Sequence, residues 1–251
     1  MDERIKLVVT DVDGTLVATH SQIVSKANLA VIANLEKSGC HVALATARPP
    51  EYCQHSLTNL QLKGLHVVDG GASVYDFSSK CYVWRQWLTV EQLQTISKAF
   101  LPFAKDFIDV YPGPVMVPLG DFSMDSITVS APYAYTRCLP ADWPEFEKNL
   151  ALINDVYYSI VARESTIWHV QVCSHKGSKQ HGVEQLQKLL SVTKAQTLAI
   201  GDNQNDEALF AAAGTKIAMG NATDELKARA TYVTETVEEG GWANAVRKFV
   251  S

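Results

Sequence analysis

Hydrophobic positions along this chain follow two patterns. Near both ends they form short, nearly unbroken runs, and through the middle they alternate with polar residues. The first run, Ile5-Lys6-Leu7-Val8-Val9-Thr10, ends in Asp11. Apolar runs of this length, bounded by turn signals, suit strands buried on both faces of a parallel sheet. Residues 25–38 then carry Ala27, Ala30, Val31 and Leu35 at near-helical spacing, with Ser25 as N-cap and Gly39 as the stop. A second buried strand is expected over 41–45, ending at Thr46. Pro49-Pro50 opens another helix, where proline is tolerated. A third strand over 65–68 is closed by Asp69-Gly70-Gly71.

From about residue 74 to 175 the texture changes. Segments 81–84, 107–111, 126–129, 156–161 and 167–172 set aromatic and β-branched residues against polar ones. That is the pattern of a mostly antiparallel sheet with one face covered. Helices are expected near 90–100 and 145–153. The α/β texture returns after Lys176, with a helix over 178–190 and a strand over 197–200 that ends at Gly201-Asp202. A helix over 204–213, short strands at 216–220 and 232–234, and a helix over 242–249 complete the chain. The expected fold is α/β: a Rossmann-like parallel-sheet core from residues 1–79 and 176–251, with an α+β domain inserted over 80–175.

Ligands of open α/β sheets bind at the carboxyl ends of the strands, and the polar groups of this chain gather where those ends are expected. Asp11 and Asp13 follow the first strand, Thr46 the second, and Gly201-Asp202-Asn203-Gln204-Asn205-Asp206 a later one, while Lys179 opens a helix. Two carboxylates placed together ask for a divalent cation or a shared proton. Taken singly, each group has a structural reading: an Asp after a strand shapes turns or caps helices, a Thr caps a strand end, and a helical Lys is solvated. Taken together they are the parts phosphoryl transfer needs: a nucleophile, a proton donor, a metal cage and donors around the phosphoryl oxygens.

At this point the chain resembles the haloacid dehalogenase (HAD) superfamily of phosphohydrolases. Asp11-Val12-Asp13-Gly14-Thr15-Leu16 is similar to the first motif of that family, Thr46 in Ala45-Thr46-Ala47-Arg48-Pro49 to the second, Lys179 to the third, and 201–206 to the fourth. Residues 217–222 and 238–241 resemble the end of the Cof-type branch, which carries a class IIB cap between motifs two and three. The resemblance implies the HAD fold, and it implies that Asp11 attacks phosphorus to form an aspartyl-phosphate. Asp13 is then the general acid and base, and Thr46, the Ala47 amide and Lys179 hold the phosphoryl oxygens. Mg²⁺ is held by Asp11, the Asp13 main-chain carbonyl and Asp202, with Asn205 and Asp206 orienting those ligands or Lys179. Arg48 touches the substrate or pairs with an acid.

Three positions depart from the family pattern. Ala47 stands where glycine is common in the second motif, Gly70-Gly71-Ala72 where the family often has Asn-Gly-Ala, and Gln180 follows Lys179, which leaves Lys176 as a competing lysine. Substrate choice is expected in the inserted cap. Its aromatics Trp84, Trp87, Tyr111, Tyr133 and Trp168 read as a stacking wall or, more simply, as sheet core, and His169 and His175 as surface or sheet residues.

Composition narrows this picture without redirecting it. A net charge of −5 over 251 residues argues against a nucleic-acid partner. Five scattered cysteines without a C-x-x-C pair suit a reduced compartment, and no apolar stretch is long enough for a membrane span. The expectation is therefore a cytoplasmic, Mg²⁺-dependent phosphatase of a small phosphorylated metabolite, a sugar phosphate or phosphorylated cofactor, with its oligomeric state unspecified. A sugar phosphomutase is the alternative, and a non-catalytic phosphate-ligand sensor the rival from another class.

Overall fold

The apolar run at the start of the chain forms strand β1 (Leu7–Thr10), in which every residue is buried. Around it the chain builds α1 (Lys26–Lys37), β2 (His41–Leu44), α2 (Pro50–Ser56), β3 (Leu65–Val68), β4 (Ser73–Asp76) and β5 (Cys81–Arg85). Ser25 caps α1 by accepting the Asn28 amide at 3.1 Å. The structure, a computed structural model, describes residues 4–19, 21–110 and 116–250. It divides into two compact units, Met1–Trp84 with Lys179–Ser251, and Arg85–Ser178.

The second unit contains α3 (Val90–Phe100), β6 (Phe107–Asp109), β7 (Val117–Pro118), β8 (Tyr133–Cys138), α4 (Trp143–Leu150), β9 (Val156–Arg163) and β10 (Trp168–Ser174). Its sheet has the order β7-β6-β8-β10-β9, and its pairings are antiparallel. Phe100 and Phe146, from the two helices, meet edge to face at 5.6 Å over the buried residues of β8 and β10. Tyr133 is buried and Trp168 lies 6.2 Å from Trp143, so both belong to the packing of this unit.

The chain then returns through α5 (Lys179–Leu190), β11 (Thr197–Gly201), α6 (Asp206–Ala211), β12 (Thr215–Ala218), α7 (Asp224–Arg229), β13 (Tyr232–Val233) and α8 (Gly241–Phe249). The first unit's main sheet runs β13-β12-β11-β1-β2, parallel throughout. Helix α1 packs beside α8, and α5 beside α6. One apolar core joins the central strands to Leu35, Leu186, Phe210 and Trp242.

The structure corrects the sequence reading inside the inserted unit. Residues 126–129 form no strand. Ser123 accepts the Asp125 amide and the Ser126 hydroxyl donates to the Ser123 carbonyl, closing a 3₁₀ turn that satisfies the backbone locally. The strands there include β7 and β8, which the pattern did not single out, and β4 is likewise unforeseen. The helix expected over 204–213 starts at Asp206, after a turn. Tyr111 lies outside the described residues.

Candidate active site

A parallel sheet puts the ends of its strands on one edge, so the residues that follow β1, β2 and β11 share that edge. Thr10 is held by α8: the Trp242 indole N–H donates to its hydroxyl at 2.9 Å, and that hydroxyl donates to the Asp11 carbonyl at 2.7 Å. Asp11 therefore leaves the sheet with its backbone fixed. Lys179, the first residue of α5, is only 2% exposed. Its ammonium donates to Asp11 Oδ1 at 2.6 Å and to Asp206 Oδ1 at 2.7 Å. Lys176, the competing lysine, is exposed in the turn before α5.

Asp206 uses both carboxylate oxygens. Besides Lys179, it accepts the backbone amides of Asp202 and Asn203 at 3.0 and 3.1 Å through Oδ2. It therefore ties the loop carrying Asp202 to the lysine. Gly201 makes this possible, since a Cβ there would stand 2.5 Å from the Asp206 side chain. Asp202 Oδ1 accepts the Thr15 hydroxyl at 2.6 Å. Gly14, at φ +80°, lets the first loop approach; a Cβ on it would meet Asp202 Oδ2 at 2.5 Å. Asn221 donates to the Gly14 carbonyl at 2.8 Å and accepts the Val237 amide at 3.0 Å. Neither Thr15 nor Asn221 was assigned a role from sequence, although both stand inside the segments that carry the family resemblance.

On the other side of β1, Arg48 embraces Asp13: Nε donates to Oδ2 at 2.9 Å and Nη2 to Oδ1. The Arg48 amide donates to the Thr46 hydroxyl at 3.2 Å, closing a tight turn through Ala47. That turn is pinned to the end of β3 by Gly70 N–H to the Thr46 carbonyl at 3.0 Å and Asp69 N–H to the Arg48 carbonyl at 3.1 Å.

The electrostatics of this edge are lopsided. Asp11, Asp202 and Asp206 bring carboxylate oxygens within 4.8 Å of one another. Burial pushes the Asp11 carboxyl up to about 7, with Lys179 opposing and Asp206 and Asp13 adding to the rise. Burial, then the charges of Asp11 and Asp206, hold Asp202 well above the usual carboxylate range. For Lys179 burial works downward, but Asp11 and Asp206 outweigh it and keep the ammonium above its ordinary value. One buried cation against three carboxylates leaves a deficit of positive charge.

A divalent cation fits that deficit. The available donors are hard oxygens, and the Asn205 side-chain oxygen is buried without a hydrogen-bond partner on the same loop. A groove of about 560 Å³ at the amino edge of the sheet, lined by Arg4, Lys6, Leu35, Arg247 and Phe249 among others, contains none of these residues.

The haloacid dehalogenase-like hydrolase family model matches residues 8–110 and 139–246. The 5-amino-6-(5-phospho-D-ribitylamino)uracil phosphatase YcsE of Bacillus subtilis is 26% identical, covering 99% of this chain and 97% of its own. Phosphoglycolate phosphatase 1 of Saccharolobus solfataricus is 28% identical, covering 98% and 94%. Among solved structures, the HAD-superfamily phosphatase BT1666 of Bacteroides thetaiotaomicron superposes with a TM-score of 0.82 at 19% identity, covering 99% of this chain and 96% of its own.

Proposed function

The chain belongs to the haloacid dehalogenase-like hydrolases and is a phosphoric monoester hydrolase; we propose that it is a Mg²⁺-dependent phosphatase of a small phosphorylated metabolite, working through an aspartyl-phosphate in the cytoplasm. The observation that carries this reading is the Lys179 ammonium lodged between Asp11 and Asp206 in a buried acidic cluster. A structural ion pair has no need of two further carboxylates left short of positive charge.

Asp11 is the nucleophile, with its Oδ1 anchored by Lys179 and its other oxygen directed to phosphorus. Attack forms a bond between that oxygen and phosphorus and breaks the ester bond to the leaving alcohol. Asp13 gives the alcohol its proton, then takes one from the water that hydrolyses the acyl phosphate. The Thr46 hydroxyl, the Ala47 amide and Lys179 hold the phosphoryl oxygens, and Lys179 balances charge as it develops. Asp11, Asp202 and the Asp13 main-chain carbonyl would hold Mg²⁺, which supplies the positive charge that lets a carboxylate approach a phosphate dianion. Asp206 serves as the brace for Lys179 and the Asp202 loop, since both its oxygens are already committed; Asn205 lies beside it.

Of the two roles open to Arg48, its bidentate pairing with Asp13 supports orienting the acid and base over binding substrate. The inserted unit, over about residues 80–175, selects the substrate. Relatives named for phosphoglycolate and for a phosphorylated ribitylaminouracil support a small phosphorylated substrate, a sugar phosphate or a phosphorylated cofactor. Among the described residues no helix is long and apolar enough to cross a membrane.

The test is a screen of phosphorylated metabolites with Mg²⁺, reading inorganic phosphate. Release of phosphate that Asp11→Asn abolishes supports the proposal. Isomerised sugar phosphate without free phosphate would replace it with a phosphomutase.

A further inference from the structure

His66 sits in β3, 4% exposed, its ring and that of Phe77 meeting in a T-shaped arrangement, centroids 5.1 Å apart. Its Nδ1 accepts the backbone N–H of Leu44 at 3.0 Å. Its Nε2 lies 3.1 Å from the Lys63 carbonyl oxygen. An amide can donate only to an unprotonated ring nitrogen, so Nδ1 is bare and Nε2 carries the proton it gives to Lys63. Burial keeps the ring neutral, lowering its pKa to about 4. The imidazole is thus a fixed bridge between the end of β2 and the turn that enters β3.

The bridge stands where a backbone acceptor is expected. In regular parallel pairing, amides of alternate residues on one strand donate to carbonyls of the next. Thr46 does this, donating to the Val67 carbonyl at 3.1 Å. Two residues earlier the Leu44 amide goes to the His66 ring. The pairing between these segments is a single bridge, Ala45 with Val67. From this short seam emerges the turn 46–48, whose backbone is tied back to Asp69 and Gly70 just past β3.

We infer that His66 is a positioning residue for the phosphoryl-binding turn: its imidazole accepts the Leu44 amide in place of a ladder carbonyl and so fixes the strand end from which Thr46, Ala47 and Arg48 project. This rests on the proposed role of Thr46 as a phosphoryl ligand. The ring makes no bond to Asp11 or Asp13, and Arg48 is held to Asp13 by two side-chain bonds of its own, so the ring acts first on phosphate affinity and much less on the chemical step.

The experiment compares His66→Leu, which removes the acceptor, with His66→Asn, whose carboxamide oxygen can take the amide. The readouts are competitive inhibition by inorganic phosphate and steady-state turnover of p-nitrophenyl phosphate with saturating Mg²⁺. His66→Leu weakens phosphate inhibition and raises KM by about tenfold with kcat little changed, and His66→Asn restores most of the loss. Hydrogen exchange at the Leu44 amide speeds up in His66→Leu and recovers in His66→Asn. If both variants fold and bind phosphate as the parent does while Thr46→Ala binds it weakly, the inference is wrong and the reading of Thr46 stands. If Thr46→Ala also binds normally, the assignment of Thr46 fails first. Should His66→Leu not fold, nitrogen NMR of the parent decides: a proton on Nδ1 of His66 overturns the inference.

Discussion

The two units of this chain differ in how much paired charge they enclose. In the first, Lys179 and Asp206 are almost wholly enclosed, and Lys179 reaches Asp11 across 168 positions of sequence. In the inserted unit three ion pairs, Lys105 with Asp142, Arg137 with Asp106 and His169 with Glu164, lie at least partly open to solvent. Its interior is aromatic instead, with Phe103 stacked on Phe146 at 5.0 Å and Trp143 against Phe146 and Trp168. Enclosing charge is expensive unless each group is paired. That cost is concentrated beside the proposed active site at one edge of one sheet, while the inserted unit encloses Asp109 of β6 in a core made mainly of aromatic and aliphatic side chains.

This contrast breaks most sharply at Lys179. Lys179→Met leaves Asp11 and Asp206 facing each other without a cation. Turnover of p-nitrophenyl phosphate should fall by about 10²–10³, and the metal-free fold should lose about 3–5 kcal/mol by denaturant unfolding. Phe146→Ala, at a fully buried ring of the inserted unit, should also cost about 3–5 kcal/mol. The molecules that remain folded should keep the parent kcat for this small substrate. Equal loss of kcat in both variants would erase the distinction between the units.

A gentler probe is Thr15→Val, which removes the 2.6 Å bond to Asp202 and little else. Mg²⁺ affinity measured by calorimetry should drop at least about tenfold, with kcat recovered at saturating metal. Unchanged affinity would remove Asp202 from the metal site or Thr15 from its support.

The smallest effect is a pH dependence. Asp11 titrates near 7 in the fold against about 4 in an unfolded chain, so between those values the folded state holds a proton that the unfolded state has lost. Metal-free stability contributed by Asp11 should therefore be lost as pH rises from about 4 through 7, with about 1 kcal/mol of that loss left above pH 6.5 and none beyond about pH 8. Saturating Mg²⁺ should remove the slope, because the metal displaces the proton. His66 has the opposite sign over about pH 4 to 6.5 and so offsets Asp11 there, leaving the Asp11 slope exposed only above pH 6.5. Its folded value of about 4 makes it destabilising as pH falls below the ordinary histidine value of 6.5. A metal-free stability that rises above pH 6.5 would contradict the raised Asp11 value.

The core was legible for a physical reason. Strands buried on both faces must be apolar at every position, so β1 and β11 read as runs and the acids that end them stand out. The partners of Lys179 were not written in any local pattern. The parallel pairing of β1 with β11 brings 11 and 206 to one edge, α5 beside α6 brings 179 to them, and the family resemblance stood in for that topology. In the inserted unit a half-covered sheet gives a weaker signal. Strand β8 was missed because its face toward the helices is made of small residues, Ala134, Thr136 and Cys138, all fully buried. The segment 126–129 misled because Ile127 and Val129 alternate as in a strand while Ser123 and Ser126 bind the backbone into a turn. The pairing of Arg48 with Asp13 was one of two readings left open by the sequence, and only geometry separates them.

The proposed mechanism stands or falls on whether Asp11 carries the phosphoryl group. Acid quenching during turnover of p-nitrophenyl phosphate with Mg²⁺, followed by mass spectrometry of the peptide containing residues 11–13, tests it directly. A phosphoryl adduct is expected on Asp11 and should be lost, together with turnover, in Asp11→Asn. Turnover that persists in Asp11→Asn, or an adduct on another residue, would contradict it.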